Sequence, residues 1–172
     1  MTCKEIPIKC KAEILSIELT ENSGRKTILS SFYRVGTLGV QNHSAVENYI
    51  TKIRRRRNVT GIVIVGDMNL PKVNWTEFSS TDPTEQLFLD TFGNLSLEQL
   101  VDTPTHIKGN TLDYVITDIV NLVKNLSVES NNLICGSDHY LIKFNLSLNT
   151  AKKKPAKRSI YNFKCANWDA LN

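Results

Sequence analysis

Four residues at the end of a short apolar run carry the clearest chemical signal in this sequence. Residues 61–65 form a β-branched run bounded by glycine, which is typical of a buried strand. Gly66, Asp67, Met68 and Asn69 follow directly, so a carboxylate and a carboxamide stand two residues apart and can point the same way. A buried strand end rarely exposes Asp and Asn together unless a ligand, a turn or a catalytic step uses their oxygens. A plain turn is an equally good interpretation, because Gly, Asp and Asn are common turn formers.

Two later segments favour a site over a plain turn. Residues 111–117 predict a strand that contains a single acidic residue, Asp113. Asp138 and His139 open a third strand, at residues 140–148, in which apolar and polar side chains alternate. Polar groups therefore gather where predicted strands begin or end.

The strands that must position these groups can be read from the same signals. Residues 11–19 and 26–33 predict a hairpin around a turn at residues 21–24. Further strands are expected at residues 62–65, 112–117, 126–129 and 140–148. Together with two helices, these strands predict a mixed α/β layer architecture.

The two helices have recognisable starts. The first is expected over residues 45–57, where Ser44 and Glu47 have the spacing of a capping box. The second should begin after Asp82 as N-cap, with Glu85 at its third position. Apolar residues are predicted to face inward: Val46, Tyr49, Ile50 and Ile53 in the first helix, and Leu87, Phe88 and Phe92 in the second.

A basic run, formed by Lys52 and residues 54–57, ends the first predicted helix. Cations in the last turn of a helix complement the helix dipole, which is a sufficient reason for their presence. The helix leads into the start of the central strand, so this run should lie far from Asp67 at the end of that strand. We therefore interpret it as a solvated helix end rather than a DNA contact.

Composition excludes more functions than it indicates. Hydrophobic residues make up 41% and charged residues 22% of the chain, near globular averages. No apolar run approaches the roughly 20 residues of a membrane span, and the first residues lack the apolar segment of a secretory signal. The four cysteines show no metal-ligand spacing or disulfide pattern, which favours a reducing intracellular compartment.

Basicity is a property of the end of the chain. The formal net charge is +4, but after residue 150 six basic residues stand against Asp169 alone. The rest of the chain then carries about −1. Residues 150–172 are therefore predicted to be a basic linker or tail, and a nuclear-import or phosphate-binding role is the alternative.

Taken together, these segments resemble the endonuclease/exonuclease/phosphatase superfamily, and most of all the endonuclease domain of non-LTR retrotransposons, a relative of the abasic-site repair endonucleases. The resemblance covers most of residues 11–148. Trp75 and Pro71 favour the retrotransposon branch over the lipid-phosphatase branches. The matching text is Ser31-Phe32-Tyr33-Arg34, Gly66-Asp67-Met68-Asn69-Leu70-Pro71, Pro104-Thr105, Leu112-Asp113-Tyr114 and Ser137-Asp138-His139.

The resemblance implies the C-terminal portion of a four-layer α/β/β/α sandwich with mostly antiparallel sheets. Residues 1–149 would be a truncated domain, because the family's preceding strands supply an Asn and a metal-binding Glu that have no counterpart here. Glu13 and Glu18 are not replacements by pattern. A sheet without those strands is expected to have an uncovered edge or face, which invites aggregation or a partner.

The resemblance also implies roles for individual residues. Asp67 would orient and deprotonate the attacking water, while Asn69 would hold the nucleophile and the transition state. His139 would bind phosphate, with Asp113 fixing its tautomer and stabilising its charged form. Two further roles follow from the same likeness: a phosphate hydrogen bond from Tyr33, and support of a metal by Asp138 together with Asp67. The implied ion is Mg²⁺, with Mn²⁺ as an alternative.

Each role has a simpler competitor. His139 could be a structural histidine, Asp113 could cap a turn at residues 109–110, and Tyr33 could only shield the core. His43 and His106 belong to no motif, and both are predicted to be surface residues. Two more residues complete the set: Thr105, at a place where the family often has a polar residue near DNA, and Trp75, expected to be a packing anchor.

Two functions are therefore expected from the sequence. The first is a metal-dependent endonuclease domain that nicks DNA, in a retrotransposon-derived polypeptide that also carries a reverse transcriptase, impaired by the truncation. The second is an inactive remnant that binds nucleic acid or protein. A phospholipid or inositol-phosphate substrate is a third option. The expected location is intracellular and nuclear, without membrane attachment.

Overall fold

The computed structural model describes residues 1–7, 13–35, 40–129 and 136–149. The predicted tail at residues 150–172 and three of the four cysteines, Cys10, Cys135 and Cys165, lie outside these residues. The described strands and helices are β1 (Thr2–Glu5), β2 (Glu13–Thr20), β3 (Lys26–Tyr33), α1 (Val40–Arg54), β4 (Val59–Asp67), β5 (Val73–Asn74), β6 (Ser79–Ser80), α2 (Pro83–Asn94), β7 (Glu98–Gln99), β8 (Asp113–Thr117), β9 (Val123–Glu129) and β10 (Leu141–Leu146).

A six-stranded sheet, in the order β1-β2-β3-β4-β8-β7, forms the centre of the fold. Its neighbouring strands are antiparallel except β3 and β4, which run parallel and are connected through α1. The prediction of a mixed α/β fold with mostly antiparallel sheets is therefore confirmed. Because β3 and β4 are parallel and β8 runs against them, the end of β3, the end of β4 and the start of β8 meet at one edge of the sheet.

The helices cover one face of this sheet. Ile28, Ile62 and Ile116 are fully buried against α1 and α2 in one apolar cluster. The predicted inward residues of α1, namely Val46, Tyr49, Ile50 and Ile53, are all buried in that cluster. In α2, Phe88 and Phe92 are buried as expected, whereas Leu87 is only half-buried.

The other face carries a two-stranded ribbon made of β9 and β10. Val63 and Val115 of the central sheet are buried there, and Ile142 and Phe144 of β10 pack against them. The predicted alternation along residues 140–148 is confirmed, since Ile142 and Phe144 pack against the sheet while Lys143 between them is exposed to solvent. The ribbon does not reach across the whole sheet: Leu15 of β2 is 58% exposed.

The helix starts show one correct and one wrong prediction. Asp82 caps α2 as expected, because its Oδ1 accepts the N–H groups of Thr84 and Glu85 at 2.9 and 3.3 Å. In α1 the capping box was wrong, since the helix begins at Val40 and places Ser44 inside it. The helix also ends at Arg54 rather than at residue 57, ahead of a turn that leads into β4.

The basic run lies where the sequence placed it, at the start of β4. Arg54 pairs with Asp118 at 3.5 Å, and Arg56 pairs with Glu18 at 3.2 Å. The two pairs therefore tie the end of α1 and the turn after it to the sheet, at the end opposite Asp67. Neither helix in the described residues combines the length and apolarity that crossing a membrane requires.

Candidate active site

Asp67 is the last residue of β4, and the chain turns sharply after it. Asp67 and Asn69 are half-buried while Met68 between them is buried, and the φ of Asn69 is +50°, so the extended conformation of β4 does not continue to Asn69. The N–H of Asn69 donates to Asp67 Oδ1 at 2.9 Å, and the N–H of Met68 donates to the carbonyl of Leu112 at the same distance. The segment is thus a hydrogen-bonded turn that also presents a carboxylate, and the two interpretations of the sequence do not exclude each other.

Gly66 is required by the close approach of β3. Its φ is +134°, a conformation that other residues rarely adopt, and a Cβ here would lie 2.1 Å from the carbonyl oxygen of Phe32. Asp67 therefore follows a point at which only glycine lets β3 and β4 pair.

Arg34 holds the same turn from inside the protein. Its N–H donates to the carbonyl of Asp67 at 2.9 Å, and its Nη1 donates to the carbonyl of Asn69 at 2.7 Å. The residue is 5% exposed, and its guanidinium lies 5.4 Å from the ring centre of Phe88. Arg34 lies in a segment that resembles the family, but the sequence predicts no role for it. Its position directly after β3, next to Tyr33, is the signal that could have indicated one.

Asp113 and His139 form a hydrogen-bonded pair next to Asp67. Nδ1 of His139 lies 2.7 Å from Oδ2 of Asp113, and Asp113 is the cross-strand partner of Asp67. Asp113 is the first residue of β8 and does not cap a turn at residues 109–110. The structure thus brings together three of the predicted site residues from three separate segments of the chain.

Thr105 fixes the backbone at Asp113 through hydrogen bonds. Its hydroxyl oxygen accepts the N–H groups of Leu112 and Asp113 at 2.9 and 3.0 Å. Thr105 is completely buried. The expectation that Thr105 lies near DNA was therefore wrong, because its side chain is buried and its hydroxyl oxygen accepts hydrogen bonds within the fold.

Asp138 lies beside His139 and is held by His106. Nε2 of His106 lies 3.1 Å from Oδ2 of Asp138, while Oδ1 of Asp138 lies 3.9 Å from Nε2 of His139. His106 is 7% exposed, and its ring meets that of His139 edge to face with ring centres 5.0 Å apart. The prediction of His106 as a surface residue was wrong. Its position seven residues before Asp113 is the feature of the sequence that could have indicated a place near the site.

Charges at this end of the sheet shift the pKa values of the titratable groups. Burial and then the charge of Asp113 raise the pKa of Asp67 above its usual value, against the opposing effect of the Asn69 N–H. Burial disfavours the charged ring of His139, but the hydrogen bond and the charge of Asp113, with further help from Asp67 and Asp138, outweigh it and raise the pKa. The hydrogen bond from His106 lowers the pKa of Asp138. A carboxylate with a raised pKa is suited to proton transfer, and an imidazole with a raised pKa is suited to phosphate binding.

Tyr33 and Glu13 mark the outer side of the site. Tyr33 ends β3 and its side chain is 47% exposed, so the ring does not serve to shield the core. Glu13 is its cross-strand partner and therefore lies at the same edge of the sheet. Glu18, in contrast, is at the far end of β2, where it pairs with Lys26 at 2.8 Å.

The two remaining predictions concern aromatic packing on the helix side of the sheet. His43 was expected on the surface, but it is half-buried, touches the Thr91 hydroxyl and meets the Phe88 ring edge to face with centres 5.8 Å apart. Trp75 stacks on Phe92 and meets Tyr114 edge to face, with ring centres 6.4 and 5.0 Å apart. The prediction of Trp75 as a packing anchor is confirmed.

Two sets of side chains could hold a metal ion. Asp67 and Asp113 offer hard oxygen donors at one strand edge, and the mutual repulsion that raises the pKa of Asp67 is what a divalent cation would relieve. His106, Asp138 and His139 have ligand atoms within 4.8 Å of one another. Within the described residues, Asp67 belongs to no such group of three. The oxygen donors fit Mg²⁺ or Mn²⁺ better than a softer ion.

A cleft of about 230 Å³ opens beside these residues. Asp113 and Gly66 line its inner end, while Tyr140, Ile142 and Phe144 line the side formed by the ribbon. A ligand in the cleft would therefore touch one acidic side chain and an apolar wall.

Comparison with known proteins places the chain in a family. The sequence profile of the family described as "Endonuclease-reverse transcriptase" matches residues 27–143, which include Tyr33, Asp67, Asn69, Asp113 and His139. No match was found among curated proteins.

Solved structures with the same fold cover most of this chain. They include an endonuclease/exonuclease/phosphatase family protein from Leptotrichia buccalis, at 18% identity and a TM-score of 0.53, covering 78% of this chain and 54% of that one. The cytolethal distending toxin of Haemophilus ducreyi is 17% identical, with a TM-score of 0.51, and the match covers 84% of this chain and 57% of that one. The catalytic domain of human Nocturnin with bound sulfate is 16% identical, with a TM-score of 0.51, and the match covers 83% of this chain and 60% of that one. The chain thus spans little more than half the length of these structures.

Proposed function

Because the chain belongs to the endonuclease/exonuclease/phosphatase superfamily, whose members are metal-dependent hydrolases of phosphoesters, we propose that it hydrolyses phosphodiester bonds and that its substrate is DNA. The observation that carries the proposal is the His139–Asp113 pair, 2.7 Å long, next to the carboxylate of Asp67. Phosphodiester hydrolysis needs a base for the attacking water and a donor for the charge on phosphate. Asp67 and the imidazole of His139 could supply these two groups side by side.

Asp67 is suited to accept the proton of the attacking water. Its carboxylate is fixed by the N–H of Asn69, and the turn behind it is fixed by Arg34. Burial and the charge of Asp113 raise its pKa above the usual value of 3.8, which makes the carboxylate a stronger base. Asn69, two residues further along in the same turn, would hold the nucleophile in place.

His139 is suited to meet the charge on phosphate. Asp113 accepts a hydrogen bond from Nδ1–H, so Nε2 is the nitrogen that points away from the pair, and in the charged ring Nε2 also carries a proton that it can donate to a phosphate oxygen. The exposed Tyr33 hydroxyl at the end of β3 would add a second donor. A bound Mg²⁺ would supply polarisation of the phosphoryl group and would be held by the carboxylates of Asp67 and Asp113, with Asp138, as the family resemblance implies, supporting it from its place beside His139.

The context of the family's name extends the proposal. We infer that the chain acts as the DNA-nicking part of a retrotransposon-derived polypeptide with a reverse transcriptase, so that the freed 3′ hydroxyl primes DNA synthesis. Such a polypeptide would act on chromosomal DNA in the nucleus.

A second function is supported by the donor set. Within the described residues, Asp67 belongs to no group of three His, Cys, Asp or Glu side chains, so a metal ion there would be bound through one or two carboxylates and several waters. In this alternative the chain binds nucleic acid through the same edge of the sheet without cutting it.

Nicking of supercoiled plasmid in Mg²⁺ separates the two functions. We expect the full chain to convert supercoiled to relaxed plasmid, His139→Ala to lose that activity, and Thr60→Ser, at the opposite end of β4, to retain it. Equal background in the full chain and in His139→Ala would contradict the nuclease proposal. Binding of a labelled DNA duplex without nicking would then support the second function.

A simple aryl phosphodiester tests the coarser claim without DNA. Hydrolysis of this ester together with an unaffected plasmid would establish a phosphodiesterase with another substrate. Release of phosphate from an inositol phospholipid without nicking would identify that substrate class.

A further inference from the structure

We propose that His106 is a positioning residue that fixes the carboxylate of Asp138 beside His139, through a tautomer imposed by the backbone of its own turn. The inference rests on the proposed function for its kinetic consequence, and on geometry alone for the tautomer. No family motif in the sequence includes this histidine.

The turn at residues 105–110 determines which nitrogen of His106 carries the proton. The N–H of Lys108 donates to Nδ1 of His106 at 3.1 Å, so this nitrogen must be the acceptor. The neutral ring then carries its proton on Nε2, the atom that lies 3.1 Å from Oδ2 of Asp138. The ring is therefore a donor to the carboxylate, and the direction of the hydrogen bond is set before any substrate arrives.

The backbone holds the two segments in register. His106 and His139 form an antiparallel bridge, in which Ile107 N–H donates to the Asp138 carbonyl at 3.0 Å and Tyr140 N–H donates to the Thr105 carbonyl at 2.7 Å. The His106 side chain is 8% exposed, whereas that of Asp138 is 59% exposed. An exposed carboxylate would otherwise rotate freely, so the buried ring restricts its orientation.

The same tautomer argues against a metal ion shared by His106, Asp138 and His139. Binding a cation through Nε2 of His106 would move its proton to Nδ1, and the Lys108 N–H would then face another N–H. The cluster is better suited to orient Asp138, which keeps Oδ1 directed toward His139 at 3.9 Å. His106 thereby acts on the site through Asp138 and not by contact with substrate.

Two substitutions separate the positioning role from a structural one. In His106→Asn the side-chain oxygen can replace Nδ1 and accept the Lys108 N–H, but nothing replaces the donor to Asp138. In His106→Gln the side-chain nitrogen can replace Nε2 and donate to Asp138, but the acceptor for Lys108 is lost.

We expect His106→Asn to lower kcat for plasmid nicking by roughly 10- to 100-fold, the usual range for partners of this kind, and to require more Mg²⁺. His106→Gln should retain most of the activity, although its turn is disturbed and its Tm is the lower of the two. A larger loss in His106→Gln, or equal losses in both, would overturn the proposal, because the turn alone would then account for the effect.

Nuclear magnetic resonance tests the geometry without any activity. Long-range ¹H–¹⁵N correlations of the full chain should identify His106 as the Nε2–H tautomer, and the Nδ1–H tautomer would refute the inference. The side-chain ¹³C shift of Asp138 should move in His106→Asn and stay in His106→Gln. An inactive wild-type chain with this NMR pattern would contradict the proposed function and leave the positioning of Asp138 supported.

Discussion

Asp67 and Asp113 face each other as cross-strand partners at the edge where β4 ends and β8 begins. Like charges in this arrangement destabilise a sheet, and here the second charge also raises the pKa of the first. Asp113 is partly compensated by its hydrogen bond with His139, whereas Asp67 is compensated mainly by the Asn69 N–H and more weakly by the charges of His139 and His106. The pairing of the two carboxylates therefore lowers the free energy of unfolding of the protein.

Asp67→Asn should stabilise the fold while it abolishes hydrolysis. Because the folded pKa of Asp67 is raised, its ionised form destabilises the fold at pH values above that pKa. We expect the free energy of unfolding at neutral pH, without metal, to increase by about 0.2–1 kcal/mol. The gain should disappear below pH 3.8, where the carboxyl group is protonated in both states. Urea unfolding measures it, and the exposed Asp102→Asn should show no gain; a loss of stability in Asp67→Asn would contradict the argument.

The Asp113–His139 pair should stabilise the fold in a pH-dependent way. The folded pKa of His139 is raised above 6.5, so the added stability is fully present below 6.5 and is lost as the pH rises through the folded pKa. A double-mutant cycle with Asp113→Asn and His139→Gln, in chelator, should give a coupling energy of about 0.5–3 kcal/mol at the lower pH. The coupling should be smaller above the folded pKa. The same coupling at both pH values would mean that the charge of the ring is not involved.

Gly66→Ala should be among the most destabilising substitutions in the sheet. The new Cβ would meet the carbonyl of Phe32 at 2.1 Å, and the clash adds to a strained φ that by itself costs about 1–3 kcal/mol. Gly24 provides the matched control, since its φ is also positive, at +82°, but nothing lies within 4 Å of its Cβ position. Gly24→Ala should cost about 1–2 kcal/mol. Similar urea midpoints for the two variants would show that β3 can move away from β4.

Thr105→Val should weaken the support of Asp113. The substitution keeps the shape of the side chain but leaves the buried N–H groups of Leu112 and Asp113 without their acceptor, at about 1–3 kcal/mol each. Thr105→Ser keeps the hydroxyl and loses one methyl group, so it should cost about 1 kcal/mol. Thermal unfolding of the two variants checks the order, and a more damaging Ser variant would show that the methyl group matters more than the hydroxyl.

The parts of the fold that the sequence predicted are those with a local cause. Asp82 caps α2 because an N-cap needs only its own next three residues, and the alternation at residues 140–148 follows from one buried face. The position of Asp67 was also predictable from a local cause, because a buried β-branched run predicts the strand that Asp67 ends.

The parts that the sequence did not predict depend on distant contacts. The start of α1 at Val40 contradicted a local capping signal, since tertiary packing can extend a helix past a favourable cap. The strand β1 consists of exposed residues and pairs only with β2, so it has no apolar pattern to detect. His106 is buried by a partner 32 residues away, and no spacing rule connects the two.

The site residues all stand where strands begin or end, never in the middle of one. Interior positions of β4 and β8 are occupied by packed apolar side chains, which tolerate few changes of size. Mutational drift in a lineage can therefore alter the groups that meet the ligand, or lengthen the loops that carry them, while the scaffold stays the same. Such a division lets one ancestral framework give rise to descendants with different specificities.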